Sequence, residues 1–318
     1  MNKKSEISAG LVVSVSNHLK KLAKKSSSVR RQFYPSPEEK DFSPSSFVDP
    51  LLEEENEKVK GLVHKYSSRA LILLTMSCAA YCRFCTRRRI VSDVCGGLVT
   101  RSDIFQMENY LLAHREINEV IFSGGDPLTA PELLKYALEK FSKLPQIKII
   151  RIHTRIPVSN PALLTASTLT AIRSLKQPVY VSVHFEHPDE LTKETVAAVK
   201  KLRMAGAILL SQSVFLKGVN DNYEILYTLF TKISEIGIRP YYIYRCDPVR
   251  GAEHFIVPFE KEIAIMTKLR INLSGIACPN YVIDTPDGSG KVPVPLSFWE
   301  FKKDSFKDYL NKKINLLS

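Results

Sequence analysis

Three cysteines, Cys78, Cys82 and Cys85, fall within eight residues in the segment Thr75-Met76-Ser77-Cys78-Ala79-Ala80-Tyr81-Cys82-Arg83-Phe84-Cys85. The spacing Cys-x3-Cys-x2-Cys puts three thiolates on one tight loop. Each can hold one iron of a four-iron cluster, and the missing fourth ligand leaves one iron open to a substrate or cofactor. Structural zinc usually takes four ligands in paired knuckles, and the nearest fourth candidate, Cys95, has no partner at finger spacing. Further on, Ser123-Gly124-Gly125-Asp126-Pro127 offers two glycines that let backbone approach a ligand closely and a carboxylate, Asp126, that can accept from an ammonium. Alone, Gly-Gly-Asp-Pro is equally a good turn.

These groups need a scaffold, and the spacing of apolar residues supplies one. Short β-branched runs at 69–75, 119–123, 148–154, 179–185, 208–215, 240–247 and 281–284 alternate with helical spacing at 111–117, 131–144, 165–175, 193–204 and 223–236. Strands buried on both faces and separated by single helices predict βαβ units, a parallel sheet and right-handed crossovers. The predicted fold class is α/β, a partial or near-complete (β/α) TIM-like barrel with an N-terminal helical extension. Catalytic groups of such a fold sit at the C-terminal ends of strands, and the polar clusters follow the apolar runs immediately. Three regions are expected: a basic helical leader and an extended, proline-containing approach over 1–60, the barrel over 61–297, and a tail over 298–318 read as a last strand plus a helix.

The chain has 318 residues, 44% hydrophobic and 25% charged, with a formal net charge of +12. That composition suits a soluble globular protein with a sizeable core. No run approaches about 18 apolar residues and no secretory signal pattern opens the chain, so a cytoplasmic protein without a membrane partner is expected. Six cysteines, three of them crowded together, suit a metal site better than a disulfide framework in that setting. The charge first suggests nucleic acid. However, residues 1–35 carry eight basic residues against Glu6 alone, a net of +7, which reads as a solvated basic leader rather than a nucleic-acid arm. The contrasting reading is a zinc-stabilised nucleic-acid-binding protein.

The cysteine spacing, with the aromatic Phe84 just before the last cysteine, resembles the signature of the radical S-adenosylmethionine (SAM) superfamily. Cys85-Thr86-Arg87-Arg88-Arg89, the glycine turn at 123–128, Thr154-Arg155-Ile156-Pro157-Val158, His184-Phe185-Glu186-His187-Pro188, Gln212-Ser213-Val214, Gly218-Val219-Asn220-Asp221, Tyr241-Tyr242-Ile243-Tyr244 and Lys291 follow in the order found in the lysine 2,3-aminomutase family. The likeness runs from about residue 32 to 295. It implies a radical SAM barrel, a [4Fe-4S] cluster on Cys78, Cys82 and Cys85, and SAM cleaved reductively at the open iron. An external electron donor such as flavodoxin or ferredoxin would supply the electron. It also implies pyridoxal 5′-phosphate (PLP), carried on Lys291 as a Schiff base, and a lysine on a glycine-rich turn is mobile enough to surrender and retake it.

By the same resemblance, Lys65, Tyr66 and Arg69 cradle the PLP phosphate. Lys65 stands where arginine is more usual, so a forked donor has become a point charge. Ser123, Gly124, Gly125 and Asp126, with His184 and Gln212, match positions on the SAM side, and Arg87 the position that binds the substrate carboxylate. Asp247 and Asp284 match the pair that grips the lysine ε-ammonium; two carboxylates aimed into a barrel mouth repel unless a cation sits between them. The expected reaction is therefore an isomerisation, L-lysine to β-lysine by 1,2-amino migration, with arginine or ornithine as alternative cationic substrates. A chain this short lacks the C-terminal cysteines of the long free-lysine members, so their tetramer is not carried over and a homo-oligomer is left open. It is also similar in length to the branch that serves translation elongation factor P.

Overall fold

In the computed structural model, residues 11–91, 99–285, 290–300, 305–307 and 310–315 are described. The leader forms two short helices, α1 (Asn17–Ala23) and α2 (Ser27–Phe33), begun by Ser16 and Ser26, whose side chains accept from backbone N–H groups of the first turn. A 3-10 turn at Pro37–Lys40 follows. Two short strands, β1 (Glu57–Val59) and β2 (Leu62–Tyr66), then pair antiparallel with each other and with β3 (Arg69–Thr75).

From β3 the chain alternates strand and helix: α3 (Arg101–Ala113), β4 (Glu119–Gly124), α4 (Pro131–Phe141), β5 (Ile149–Thr154), α5 (Ile156–Ser159), α6 (Ala166–Ser174), β6 (Val179–His184), α7 (Lys193–Met204), β7 (Ile208–Val214), α8 (Tyr223–Glu235), β8 (Arg239–Tyr244), α9 (Phe259–Asn272) and β9 (Asn280–Asp284). Strands β3 to β9 are parallel neighbours in sequence order, as βαβ units require. The last, β10 (Lys291–Pro293), returns antiparallel on β9. The result is one ten-stranded sheet ordered β1 to β10. Among the described residues no hydrogen bonds close it, yet its two ends meet: a Cβ built on Gly290 would lie 3.8 Å from Cε1 of Tyr66. The expected partial barrel is thus present, with all seven expected runs in it.

Helices pack outside the sheet, and their inward stripes join the apolar strand faces in one core that includes Leu62, Ile72, Leu74, Phe122, Phe141, Val181, Leu202, Phe230 and Leu269. Three expectations shift. The helix read at 111–117 is α3, beginning at 101, because Thr100 and Asp103 form a reciprocal capping box that starts it earlier. Helix α9 and the hairpin β1–β2 were not read from the apolar pattern. The approach over 35–56 is not merely extended; Phe47 bridges to Val249, which draws it onto the barrel. In the tail, the described residues form β11 (Trp299–Glu300), β12 (Ser305–Lys307) and β13 (Lys313–Asn315), an antiparallel sheet in place of the expected strand plus helix. Cys95 lies outside the described residues. No helix among the described residues is long and apolar enough to cross a membrane.

Candidate active site

Alternate strand residues share one face of a sheet, and here that face lines a cavity of about 400 Å³. Arg69 and Leu71 come from β3, Ile121 and Ser123 from β4, Arg151 and His153 from β5, and Tyr242 and Tyr244 from β8. Every candidate residue named from the sequence lines this cavity: Lys65, Tyr66, Arg69, Cys78, Cys82, Cys85, Arg87, Ser123, Gly124, Gly125, Asp126, His184, Gln212, Asp247, Asp284 and Lys291. Most follow the C-terminal ends of parallel strands. The exceptions are Lys65, Tyr66 and Arg69, which belong to the β2–β3 hairpin, and Lys291, which opens the antiparallel β10.

The cysteine loop leaves β3 and is held from two sides. On one, the backbone N–H of Gly125 donates to the Thr75 carbonyl at 2.5 Å and that of Asp126 to Ser77 at 2.8 Å. A Cβ at Gly124 would stand 2.3 Å from the Thr75 oxygen, and one at Gly125 2.3 Å from the Ser77 oxygen. The close approach to the cysteine loop therefore by itself requires glycine at both positions, beyond the ligand approach that the sequence suggested. The expectation for Asp126 is corrected. Its carboxylate accepts from the Thr154 hydroxyl and the N–H groups of Leu128, Arg155 and Ile156, so it braces the β4 and β5 loops instead of awaiting an ammonium.

On the other side, Arg83, almost wholly buried, donates bidentately to Glu39 and through Nη1 to the Leu11 carbonyl. Arg88 adds a bond to the same Glu39 carboxylate at 2.8 Å. Burial pushes all three cluster-loop thiols up, Cys85 to about 11. At Cys82 the Arg155 guanidinium opposes this, with Nη1 donating to Sγ at 2.8 Å. Three soft sulfur donors from one loop, facing one cavity, suit an iron–sulfur cluster, and binding it would release their protons.

His184 and Gln212 are register partners on β6 and β7. Burial and then the positive Arg155 bring His184 down to about 4, so it is neutral at ordinary pH. Its Nδ1 lies 3.6 Å from Oε1 of Glu186, which burial raises to about 8. At the β2–β3 hairpin, the Arg69 guanidinium stacks 3.8 Å from the Tyr66 ring centre, and Lys65 Nζ donates to the Leu51 carbonyl at 3.1 Å. The Tyr66 hydroxyl is buried with no hydrogen-bond partner among the described residues. An orphaned donor beside two cations fits a phosphate.

Lys291 is placed differently from the expected mobile turn: it is the first residue of β10, cross-strand from Asp284. Its Nζ contacts Asp284 Oδ2 at 2.5 Å, so the cation expected beside the acid pair is the protein's own. Burial, and then repulsion from Asp284, raise Asp247 to about 7. Arg87 also departs from expectation. Its Nε and Nη2 grip Glu53, while Nη1 donates to Ser123 Oγ and the Gly124 carbonyl at 3.1 Å each. Burial alone would push the Glu53 carboxyl up, but the Arg87 guanidinium outweighs it and holds Glu53 below the usual carboxylate range.

Sequence reading missed Glu53, Arg151, His153 and Arg155 as site residues. For Arg151 and His153 a signal existed, since polar residues two apart in an apolar run mark a strand's inner face. Glu53 had none: it is one of three consecutive glutamates, and its neighbour Glu54 instead meets Arg89 at the surface.

A family model described as the Radical SAM superfamily matches residues 72–229. The chain is 38% identical over 273 residues to an L-lysine 2,3-aminomutase of Clostridium subterminale, covering 84% of this chain and 64% of that protein. It is 36% identical over 267 residues to an L-lysine 2,3-aminomutase of Escherichia coli K12, covering 84% of this chain and 77% of that one. The chain thus spans less than two thirds of the clostridial relative's length.

Proposed function

Because the chain belongs to the lysine 2,3-aminomutase family of the radical SAM superfamily, we propose that it moves the α-amino group of L-lysine to C3, giving β-lysine. The observation that carries this reading is the acid pair Asp247 and Asp284, with Lys291 on Asp284, in the cavity that also holds the three cysteines. When bound, a four-iron cluster with SAM supplies a hydrogen-abstracting radical, and PLP supplies the carbonyl carbon that carries the migrating amino group.

Cys78, Cys82 and Cys85 would hold the cluster, and Arg155, by donating to the Cys82 sulfur, would favour its thiolate form. His184 and Gln212, with the backbone around Gly124, shape the SAM side of the cavity. Lys65, Tyr66 and Arg69 would hold the phosphate, with the Tyr66 hydroxyl, which lacks a partner among the described residues, as one donor. Lys291 Nζ would hold PLP in a form that an incoming amine can displace. In that role it would no longer neutralise Asp284, and the acid pair would be left for a substrate ε-ammonium, which sets the preference for a cationic amino acid. The substrate carboxylate replaces the Ser123 hydroxyl at Arg87 Nη1, and Glu53 fixes the guanidinium for that contact. The reducing electron comes from an external donor of the flavodoxin or ferredoxin kind.

The test is a double variant, Asp247→Asn with Asp284→Asn. Lysine turnover should fall at least about 100-fold, the order expected when a buried charged partner is lost, while SAM cleavage without substrate is preserved. Unchanged lysine kinetics would overturn the reading. Mass spectrometry of products from lysine, arginine, ornithine and glutamate then names the substrate, and glutamate should give none.

A further inference from the structure

Residues 11–35 contain six Lys or Arg and no Asp or Glu. On α1 and α2 the apolar side chains Leu19, Ala23, Val29 and Phe33 are buried, whereas Lys20, Lys21, Lys24, Lys25 and Arg30 are exposed. Lys20 and Lys21, in the last turn of α1, favour its dipole. Lys24 and Lys25 repeat the charge four residues on, where like charges oppose one another. A bilayer would need apolar side chains on the outer face as well, and those of the two helices point inward.

The place of this basic face is what gives it meaning. The N–H of Tyr81 donates to the Ser14 carbonyl at 3.1 Å and that of Arg83 to Gln32 at 2.8 Å. Leu19, Val29 and Phe33 form one cluster with Ala80, against which Cys82 packs. The leader therefore lies directly on the cysteine loop, and one helix thickness, on the order of 10 Å, separates its outer face from Cys82. The carboxylates nearby leave the face positive: Glu194 reaches His18 and Lys21 at the rim, while Glu190 is buried on Gln32 and Arg155.

We propose that the outer face of α1 and α2 is the docking surface for an acidic, low-potential one-electron carrier that reduces the cluster. This rests on the cluster assigned to Cys78, Cys82 and Cys85 under the proposed function. The carrier loses one electron and the cluster gains it; no proton or ligand moves. Point charges from lysine suit a brief, orientation-tolerant encounter, in which complementary charge raises the association rate more than the affinity.

The experiment uses the full chain, reconstituted anaerobically, and follows bleaching of the cluster's visible absorbance by stopped flow. Reductants are reduced flavodoxin, as the acidic carrier, and dithionite, as the small-molecule control. The variant Lys20→Glu, Lys21→Glu, Lys24→Glu, Lys25→Glu should slow flavodoxin-driven bleaching at least about tenfold at low salt, with dithionite bleaching unchanged. Added salt should slow the unaltered protein towards the variant. Equal flavodoxin rates in the two proteins overturn the docking surface, as does a variant that loses binding to a single-stranded RNA oligomer while keeping its flavodoxin rate. A chain that dithionite does not bleach at all overturns the cluster instead. Iron content and the dithionite control identify a variant that has merely misfolded, and the salt dependence of the unaltered protein then decides alone.

Discussion

Asp247 is buried beside Asp284, and both effects disfavour its charged form, so its carboxyl is raised to about 7. Below that pH it carries a proton and no longer attracts an ammonium; above it, it does. For lysine, kcat/KM should accordingly fall as pH drops through about 7, approaching tenfold per unit where only the ionised form binds. In Asp247→Asn this limb should vanish, leaving a low, flat profile over the same range; a limb that survived would belong to another group. Asp247 and Asp284 were legible in the sequence because each ends an apolar run, which aims it at the mouth of a barrel. The partner of Arg87 was not. Glu53 lies 34 residues earlier, and only folding brings the two together. The same limit hid the fate of Asp126, whose donors come from the loop after the next strand.

At the scale of elements, the cysteine loop is held by an ion cluster as well as by its glycine neighbours. Glu39, on the 3-10 turn after the leader, takes Arg83 and Arg88 together, and Arg83 is nearly inaccessible to solvent. Removing one partner of a buried pair leaves an uncompensated charge at a cost of about 3–5 kcal/mol. Glu39→Ala should lose about that much stability in urea unfolding and retain less iron per chain after reconstitution; an unchanged midpoint would deny the clamp its role. Burial pushes the Glu39 carboxyl up, but Arg83 and Arg88 overcome this and leave it lowered. Its contribution is therefore complete above the ordinary carboxylate pKa and fades as pH falls through the depressed value. The seven parallel strands were readable because each carries a short run rich in β-branched and aromatic residues, although polar groups on the cavity face interrupt it in β5. The β1–β2 hairpin was not, since its strands are short and partly exposed, and α3 was misplaced because its start lies in a capping pair rather than an apolar stripe.

For the whole molecule, the open sheet poses a mechanical question that the proposed PLP would answer. Among the described residues, hydrogen bonding joins β1 to β10 in sequence order and leaves the two ends unpaired, yet Tyr66 of β2 and Gly290, just before β10, lie side by side. The proposed PLP contacts fall on both ends: Lys65, Tyr66 and Arg69 on one, Lys291 on the other. Lys65 is near enough to ease the charge repulsion at Asp247, so the ends also share one electrostatic field. A ligand held by phosphate at one end and by its carbonyl carbon at the other would staple the barrel shut. PLP at 100 times its Kd should therefore stabilise the fold by about 2.7 kcal/mol, measured as a raised Tm in thermal unfolding. Losing either half of the staple should remove most of that shift. Lys65→Gln with Arg69→Gln abolishes the phosphate grip and Lys291→Ala the covalent one, whereas Asp247→Asn, which touches neither, should keep it. Equal shifts in all four proteins would place PLP elsewhere or nowhere, independently of whether the chain turns over lysine.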